Sequence, residues 1–117
     1  MKKILITGGA GFIGSNAAEY FFKKKWKIFI IDNLSRKGSK SNLERLKSNI
    51  KVIFVKCDIR NFKDLSSVVK KINPEAIIHA AGQVAVTTSF VNPREDFEIN
   101  ALGTFNLLEA VRINKLN

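Results

Sequence analysis

With a single cysteine, Cys57, the chain can form no internal disulfide and no multi-cysteine metal site. That residue closes an apolar run, which predicts a buried thiol. Long hydrophobic stretches are missing as well. Ile28-Phe29-Ile30-Ile31 is typical of the runs present, far below the ~20 residues needed to cross a bilayer. The N-terminus opens directly on strand-like residues, and the expectation is a cytoplasmic protein. Repeats and low-complexity tracts are absent too, which points to a globular chain.

Acidic residues are few. Ten Asp or Glu face 20 Lys or Arg, and a small domain with a net charge of +10 carries the electrostatic footprint of a nucleic-acid binder. The distribution argues against that partner. Residues 1–92 hold 17 Lys or Arg against 6 Asp or Glu, whereas residues 93–117 hold 3 against 4, so the excess is dispersed and no helix gathers it. Lys23, Lys24 and Lys25 fall where a first helix should end, and cations there complement the helix dipole. No aromatic platform accompanies the charge. Neither nucleic acid nor a membrane is expected as a partner.

What is present suffices for one domain. A chain of 117 residues buries roughly two thirds of its unfolded surface in a single core, and 45% hydrophobic residues supply it. Lys3-Ile4-Leu5-Ile6-Thr7 is a buried strand cut off by glycines. Over residues 11–25, Ile13, Ala17, Ala18, Phe21 and Phe22 recur at helical spacing, which predicts a helix with one apolar face, while Glu19 and Lys23 can pair on the other. Residues 27–32 form a second strand closing on Asp32-Asn33. A polar loop and a short helix over 41–47 precede a third strand over 51–55. A second main helix spans 61–71, with Asn61 as its cap and Asn73-Pro74 as its stop. A fourth strand spans 75–81 and ends at Gly82. A long final helix then covers 94–114. Strict strand-helix alternation demands right-handed parallel crossovers, hence an α/β, Rossmann-like, doubly wound sheet. Four strands amount to the first nucleotide-binding half plus one strand beyond the switch point.

Gly9-Ala10-Gly11-Phe12-Ile13-Gly14 is a weak signal alone. Here it lies between a predicted strand and a predicted helix, with an acid closing the next strand. Gly8 and Gly9 permit the tight turn, Gly11 admits a pyrophosphate to the backbone, and Gly14 allows close helix-to-strand packing. Asp32 sits where a carboxylate accepts hydrogen bonds from the adenosine ribose hydroxyls, which favours NAD; Arg36 and Lys37 in the same loop are the residues that speak for NADP. Asp58, after strand three, is a loop or cap residue or a ligand at the adenine end.

Five motifs occur in one order: Thr7 to Gly14, Asp32-Asn33-Leu34-Ser35-Arg36, Asp58-Ile59-Arg60, His79-Ala80-Ala81-Gly82 and Asn100-Ala101-Leu102-Gly103-Thr104. With these, essentially the whole chain resembles the extended short-chain dehydrogenase/reductase family of NAD-dependent sugar-nucleotide epimerases and dehydratases. Asp32 to Gly38 and Ala81 to Ser89 are most similar to the CDP-paratose (CDP-tyvelose) 2-epimerase subfamily. The resemblance implies that Phe12 and Ile13 meet the pyrophosphate through their backbone. It places Asp32, Asn33, Ser35, Arg36 and Lys37 around the adenosine ribose, and Asp58 and Ile59 beside adenine. It further implies that Ala80, Ala81, Gly82 and Gln83 line the cofactor, and that Asn100 lies near the nicotinamide end. Thr87 and Thr88 match the loop that faces the sugar, and His79 is structural, a strand histidine with satisfied nitrogens.

The family's catalytic centre is a Ser or Thr after the fifth strand and a Tyr-x-x-x-Lys on the helix that follows. The sequence stops before either, so no catalytic residue is assigned, no metal is expected, and the expectation is an incomplete NAD-binding domain without its substrate domain, inactive alone. Tyr20 to Lys24 has the spacing but lies in the first helix, where the match is chance. In a complete member, a sugar carbon, C2 in the subfamily named, would be oxidised to a planar keto intermediate and reduced from the opposite face. The alternative is a non-catalytic NAD-binding or partner-binding module, in which the final helix, apolar at Leu102, Phe105, Leu107 and Leu108, docks another protein or a second copy; association with a separate C-terminal part is a further expectation.

Overall fold

In the computed structural model, which describes residues 1–82 and 91–115, four strands form one parallel sheet. These are β1 (Lys3–Thr7), β2 (Lys27–Asp32), β3 (Val52–Lys56) and β4 (Ala76–His79), in the spatial order β3-β2-β1-β4. The order reverses between β1 and β4, and that is where a doubly wound sheet opens a crevice at its C-terminal edge. The helices are α1 (Phe12–Lys23), α2 (Ser39–Asn49), α3 (Phe62–Ile72), α4 (Pro93–Phe97) and α5 (Gly103–Ile113). A π-helical turn, Glu98–Leu102, joins the last two.

The apolar strands need no polar alternation because both sheet faces are covered. Ile4, Ile6, Ile28 and Ile30 pack with Ala18 of α1 and Leu46 of α2 on one side. Leu5 and Ile31 point the other way, against Leu65, Val69 and Ile72 of α3 and Leu107 and Ala110 of α5. Each buried Ile, Leu or Val among these contributes about 2 kcal/mol. Among the described residues no helix is long and apolar enough to cross a membrane.

Helix ends follow local chemistry. Asn61 caps α3 by accepting the Asp64 N–H at 3.2 Å, and Asn73, left-handed at φ 51°, closes it. Several boundaries differ from expectation. β4 stops at His79 because its partner β1 ends at Thr7, opposite that residue. Gly38 at φ 85° turns the chain early, so α2 starts at Ser39, with Leu43 and Leu46 buried beneath it. The final helix is not uniform: a π-helical turn interrupts it at Glu98–Leu102, and just beyond that turn Thr104 Oγ1 donates to the Asn100 carbonyl at 2.7 Å.

On α1 the expectation for Ile13 and Phe22 fails, since they are 68% and 38% exposed. The buried face is Gly14, Ser15 and Ala18, small residues that bring the helix close and turn bulkier neighbours outward. Glu19 and Lys23 do not pair among the described residues.

Candidate functional site

The turn after β1 is built by contact as much as by backbone freedom. Gly8 has φ +68°, and a Cβ there would lie 2.7 Å from the Ala80 backbone at the end of β4. Its N–H donates to the Ile31 carbonyl at 2.8 Å, which pins the turn to β2. A Cβ on Gly14 would lie 2.4 Å from the Gly8 carbonyl oxygen, so only glycine lets α1 start this near the strand. Gly11, extended at φ −85°, precedes α1 with no side-chain cap, and no acid occupies the first helical turn. Backbone N–H groups there sit at the positive end of the helix dipole, the arrangement that receives an anion.

Above this turn lies a cleft of about 460 Å³. Gly8 and Gly11 form part of its lining, with Asp32, Asn33, Ser35 and Arg36 on the β2 side. Asp58 and Ile59 come from the end of β3, and Ala80, Ala81 and Gly82 from the end of β4. Asp32 ties the β2 side together: Oδ2 accepts the Ala10 N–H at 3.1 Å and Oδ1 the Leu34 N–H at 2.8 Å. Each oxygen keeps a further lone-pair site for a ligand hydroxyl. Arg36 reaches across, its Nη2 donating to the Gly82 carbonyl at 3.1 Å.

Asp58 is held by a neighbour that sequence reasoning passed over. Arg60 forks onto it through Nε at 3.0 Å and Nη2 at 2.6 Å, and the Arg60 N–H adds a bond of 2.9 Å. Those bonds, led by the side-chain pair, hold the carboxyl down at about 2 despite partial burial. It is a fixed anion whose oxygens are largely engaged. Cys57 is buried as expected and also lines the cleft. Burial first, then the charges of Asp64 and Asp58, push its thiol up to about 11, so it stays protonated and inert.

At the rear, His79 joins two elements. Nδ1 meets Thr7 Oγ1 at 2.6 Å and Nε2 meets Thr104 Oγ1 at 2.9 Å. Thr104 spends its proton on the Asn100 carbonyl, so Nε2 is the donor and Nδ1 accepts from Thr7, whose oxygen in turn accepts the Ala81 N–H at 3.2 Å. Burial lowers the ring's pKa, which keeps it neutral in this chain of bonds. The structural role expected for His79 is the one seen.

Of the other expected ligands, Phe12 and Ile13 stand exposed at the head of α1 and Gly14 is buried beneath them. Lys37 lines a shallow basin beside the cleft. Asn100 lies against Gly82, where an added Cβ would come within 2.9 Å of its Oδ1. Gln83, Thr87 and Thr88 lie outside the described residues. Tyr20 and Lys24 are absent from the cleft lining; the Lys24 ammonium sits over the Tyr20 ring at 5.6 Å on the outer side of α1. Ile31, Ser39, Glu95 and Ile99 also line the cleft and were not anticipated. Glu95 and Ile99 are four apart, a spacing that reads only as a helix face until the fold sets it over the cleft.

Residues 5–117 match the GDP-mannose 4,6 dehydratase family. The CDP-paratose 2-epimerase of Salmonella typhi is 52% identical over 110 residues, which are 94% of this chain and 32% of that protein. The UDP-Glc/GlcNAc 4-epimerase of Campylobacter jejuni superposes with a TM-score of 0.90 at 35% identity, covering 100% of this chain and 35% of the other. The UDP-glucose 4-epimerase of Thermus thermophilus, solved as a complex with NAD, gives 0.86 at 34% identity, over 98% and 35%. The chain thus spans about a third of the length of the curated relatives it matches.

Proposed function

The chain belongs to the GDP-mannose 4,6 dehydratase family, among the extended short-chain dehydrogenases/reductases, and from that premise we propose that it binds NAD in the cleft over Gly8 and Gly11. The observation that carries this is the uncapped start of α1 behind Gly11, which opens onto the same cleft as the β2 acid Asp32. The cleft fits such a ligand. Gly11 offers bare backbone to a pyrophosphate, and Asp32 retains acceptor capacity for the ribose. In this reading the Gly11, Phe12 and Ile13 backbone holds the pyrophosphate, and Asp32, Asn33, Ser35, Arg36 and Lys37 surround the ribose. Asp58 and Ile59 border adenine. Ala80, Ala81 and Gly82 form the far wall, with Gln83 beyond them, and Asn100 stands near the nicotinamide end.

When bound, NAD supplies reversible hydride transfer. The chain's own part is to orient that group: the Gly8–Ala80 contact and the His79 bonds fix one wall, and the Asp32 bonds fix the other. We assign the chain to a sugar-nucleotide epimerase, with a CDP-sugar inverted at C2 as the specific activity. Support for that substrate is the likeness to a CDP-paratose 2-epimerase, and Thr87 and Thr88 are the residues proposed to face the sugar. A partner-binding reading has one observation in its favour: Phe105 and Leu108 of α5 are 60% and 64% exposed, although Leu107 is buried and Leu102 half-buried. Calorimetric titration with NAD tests the cofactor reading. Saturable binding is expected, and a folded chain that takes up no NAD would overturn the cofactor reading.

A further inference from the structure

Cations that are spread along the sequence come together in the fold. In a parallel sheet every strand starts at one edge, and the helices between strands run back to that same edge. Lys3 stands opposite Lys27 in register, and the neighbouring pairs Ile28–Val52 and Ile4–Ala76 place Lys51 and Glu75 at the two ends of the same row. Lys2 precedes that row, and its carbonyl accepts the Lys27 N–H at 2.7 Å. The helices deliver the rest. Lys23 ends α1, with Lys24 and Lys25 directly after it, Lys47 lies in the last turn of α2, and Lys70 and Lys71 lie in that of α3. Contact with the row is direct at α3, where Lys3 Nζ donates to the carbonyl of its last residue, Ile72, at 3.0 Å. Except for Lys3, which is half-buried, all these lysines are exposed.

This edge, opposite the cleft, thus holds ten lysines and one acid, Glu75, while the remaining ten Lys and Arg of the chain face nine Asp and Glu. Nearly the whole net charge of +10 sits on one face. Helix dipoles account for little of it: three helix C-termini at about half a negative charge each offset roughly one and a half of the nine surplus charges. Neighbouring strands lie about 4.8 Å apart, well inside the Debye length of about 8 Å at physiological salt, so the lysine fields add. A surface that repels itself in this way is unfavourable unless an anion lies against it. The nearby rings choose between anionic partners. Tyr20 and Phe22 near the end of α1 are exposed, and Trp26 follows at half-burial. Lys2 Nζ lies 5.3 Å from the Trp26 ring and Lys24 Nζ 5.6 Å from that of Tyr20, while Phe21 meets the two rings edge to face at 5.4 and 5.1 Å. Neither ring is a free platform for a nucleobase. All ten cations are Lys, point charges suited to a diffuse negative surface, and the edge lacks the Arg forks that grip single phosphates. Aromatic rings with lysine tips beside them are the arrangement that settles at the headgroup layer of a bilayer.

We infer that the strand-start edge is a docking surface for an anionic lipid membrane, with the lysines at the level of the lipid phosphates and Phe22 and Trp26 reaching the boundary of the acyl chains. The expectation of no membrane partner rested on cations dispersed along the chain, and the fold removes that ground. The cleft opens at the opposite end of the sheet, so a docked molecule keeps it facing the solution and docking leaves NAD binding untouched.

Flotation of the full chain with phosphatidylcholine vesicles, with and without phosphatidylserine, tests this surface. Uptake is expected only with phosphatidylserine present, and it should fall steeply as salt is raised. Trp26, the sole tryptophan, reports on the face directly: brominated acyl chains in those vesicles should quench its fluorescence. Lys25→Gln combined with Lys51→Gln, two exposed changes beyond the helix ends, should weaken uptake about 25-fold, at roughly fivefold per lysine. Lys63→Gln, in the first turn of α3 at the cleft end, should leave uptake nearly unchanged, and both chains should titrate NAD as the parent does. Equal flotation with neutral and anionic vesicles, no flotation with either, absent quenching, or an unweakened double variant overturns the proposal. So does retention of the chain by duplex DNA or by polyglutamate without uptake by vesicles, which assigns the charge to another class of partner. Failure to bind NAD with flotation intact would instead overturn the cofactor reading and leave this surface standing.

Discussion

A methyl group added at Gly14 and one added at Gly11 should have opposite consequences, although the two glycines belong to one turn. At Gly14 the new carbon falls 2.4 Å from the Gly8 carbonyl oxygen and 2.8 Å from the Gly9 Cα. Both are backbone atoms, so no side chain can swing away, and the strain belongs at the upper end of the about 1–3 kcal/mol that overpacking costs. Alanine returns about 1 kcal/mol in helix propensity, which leaves Gly14→Ala destabilised by about 2 kcal/mol. For a domain of this size that lowers Tm by about 10 °C. At Gly11 the backbone is extended at φ −85° and the carbon meets only the Gly8 oxygen, at 3.3 Å. Gly11→Ala should therefore lose under about 1 kcal/mol of stability, while the methyl intrudes on the cleft floor and weakens NAD by about tenfold or more. Urea unfolding and NAD titration of the two variants measure both quantities. Equal unfolding midpoints, or a Gly14→Ala chain as stable as its parent, would refute the packing argument.

His79, the sole histidine, is held neutral by burial, with a folded-state pKa below the ordinary 6.5. The unfolded chain then binds the proton more readily, so stability is full above about pH 6.5 and declines as pH falls below it. Urea midpoints at pH 7.5 and 5.5 should converge in His79→Gln after subtraction of the background common to both chains; an unchanged pH slope would contradict the assignment. Cys57, with its thiol pushed up to about 11 from 9.0, carries about a hundredfold less thiolate at pH 8 than an ordinary cysteine. Alkylation by iodoacetamide should be slower by at least that factor in the native chain and recover in urea, and rapid native labelling would be the contrary result.

Legibility in the sequence followed the range of the forces involved. β1 and β2 end where the apolar runs meet Gly8 and Asn33, and the Asn61 cap is a matter of three adjacent residues, so local composition sufficed. The α2 boundaries were missed because its mean composition is polar and only Leu43 and Leu46 anchor it. The π-helical turn carries no breaker; Glu95, Ile99, Gly103, Asn106 and Ala110 keep near-helical spacing straight through it. In the cleft, Asp32 and the glycines were legible because their chemistry is tied to strand ends. Arg60 was legible only as a motif member, since its grip on Asp58 is set by side-chain geometry two residues apart. Ser39 looked like one loop serine among several until the fold buried its hydroxyl. The apolar residues of α5 were read as one stripe, but Leu107 turns into the core against α3 while Phe105 and Leu108 face out.

β1 pairs Thr7 with His79, and Gly8 rests on the Ala80 backbone, so β1 is completed by a strand made about 70 residues later. Synthesis at about 5–20 residues per second leaves an interval of roughly 4–15 s between the emergence of the two. During that time β1 can pair only with β2, and its other edge waits open. The two walls of the cleft are therefore assembled from opposite ends of a long loop, whose closure is entropically unfavourable. A ligand that touches both Gly11 and Gly82 cannot hasten that closure, because its site does not yet exist; it can only delay reopening. Cofactor binding in such a design acts as a brake on unfolding, and the lifetime of the cleft becomes a function of what it holds.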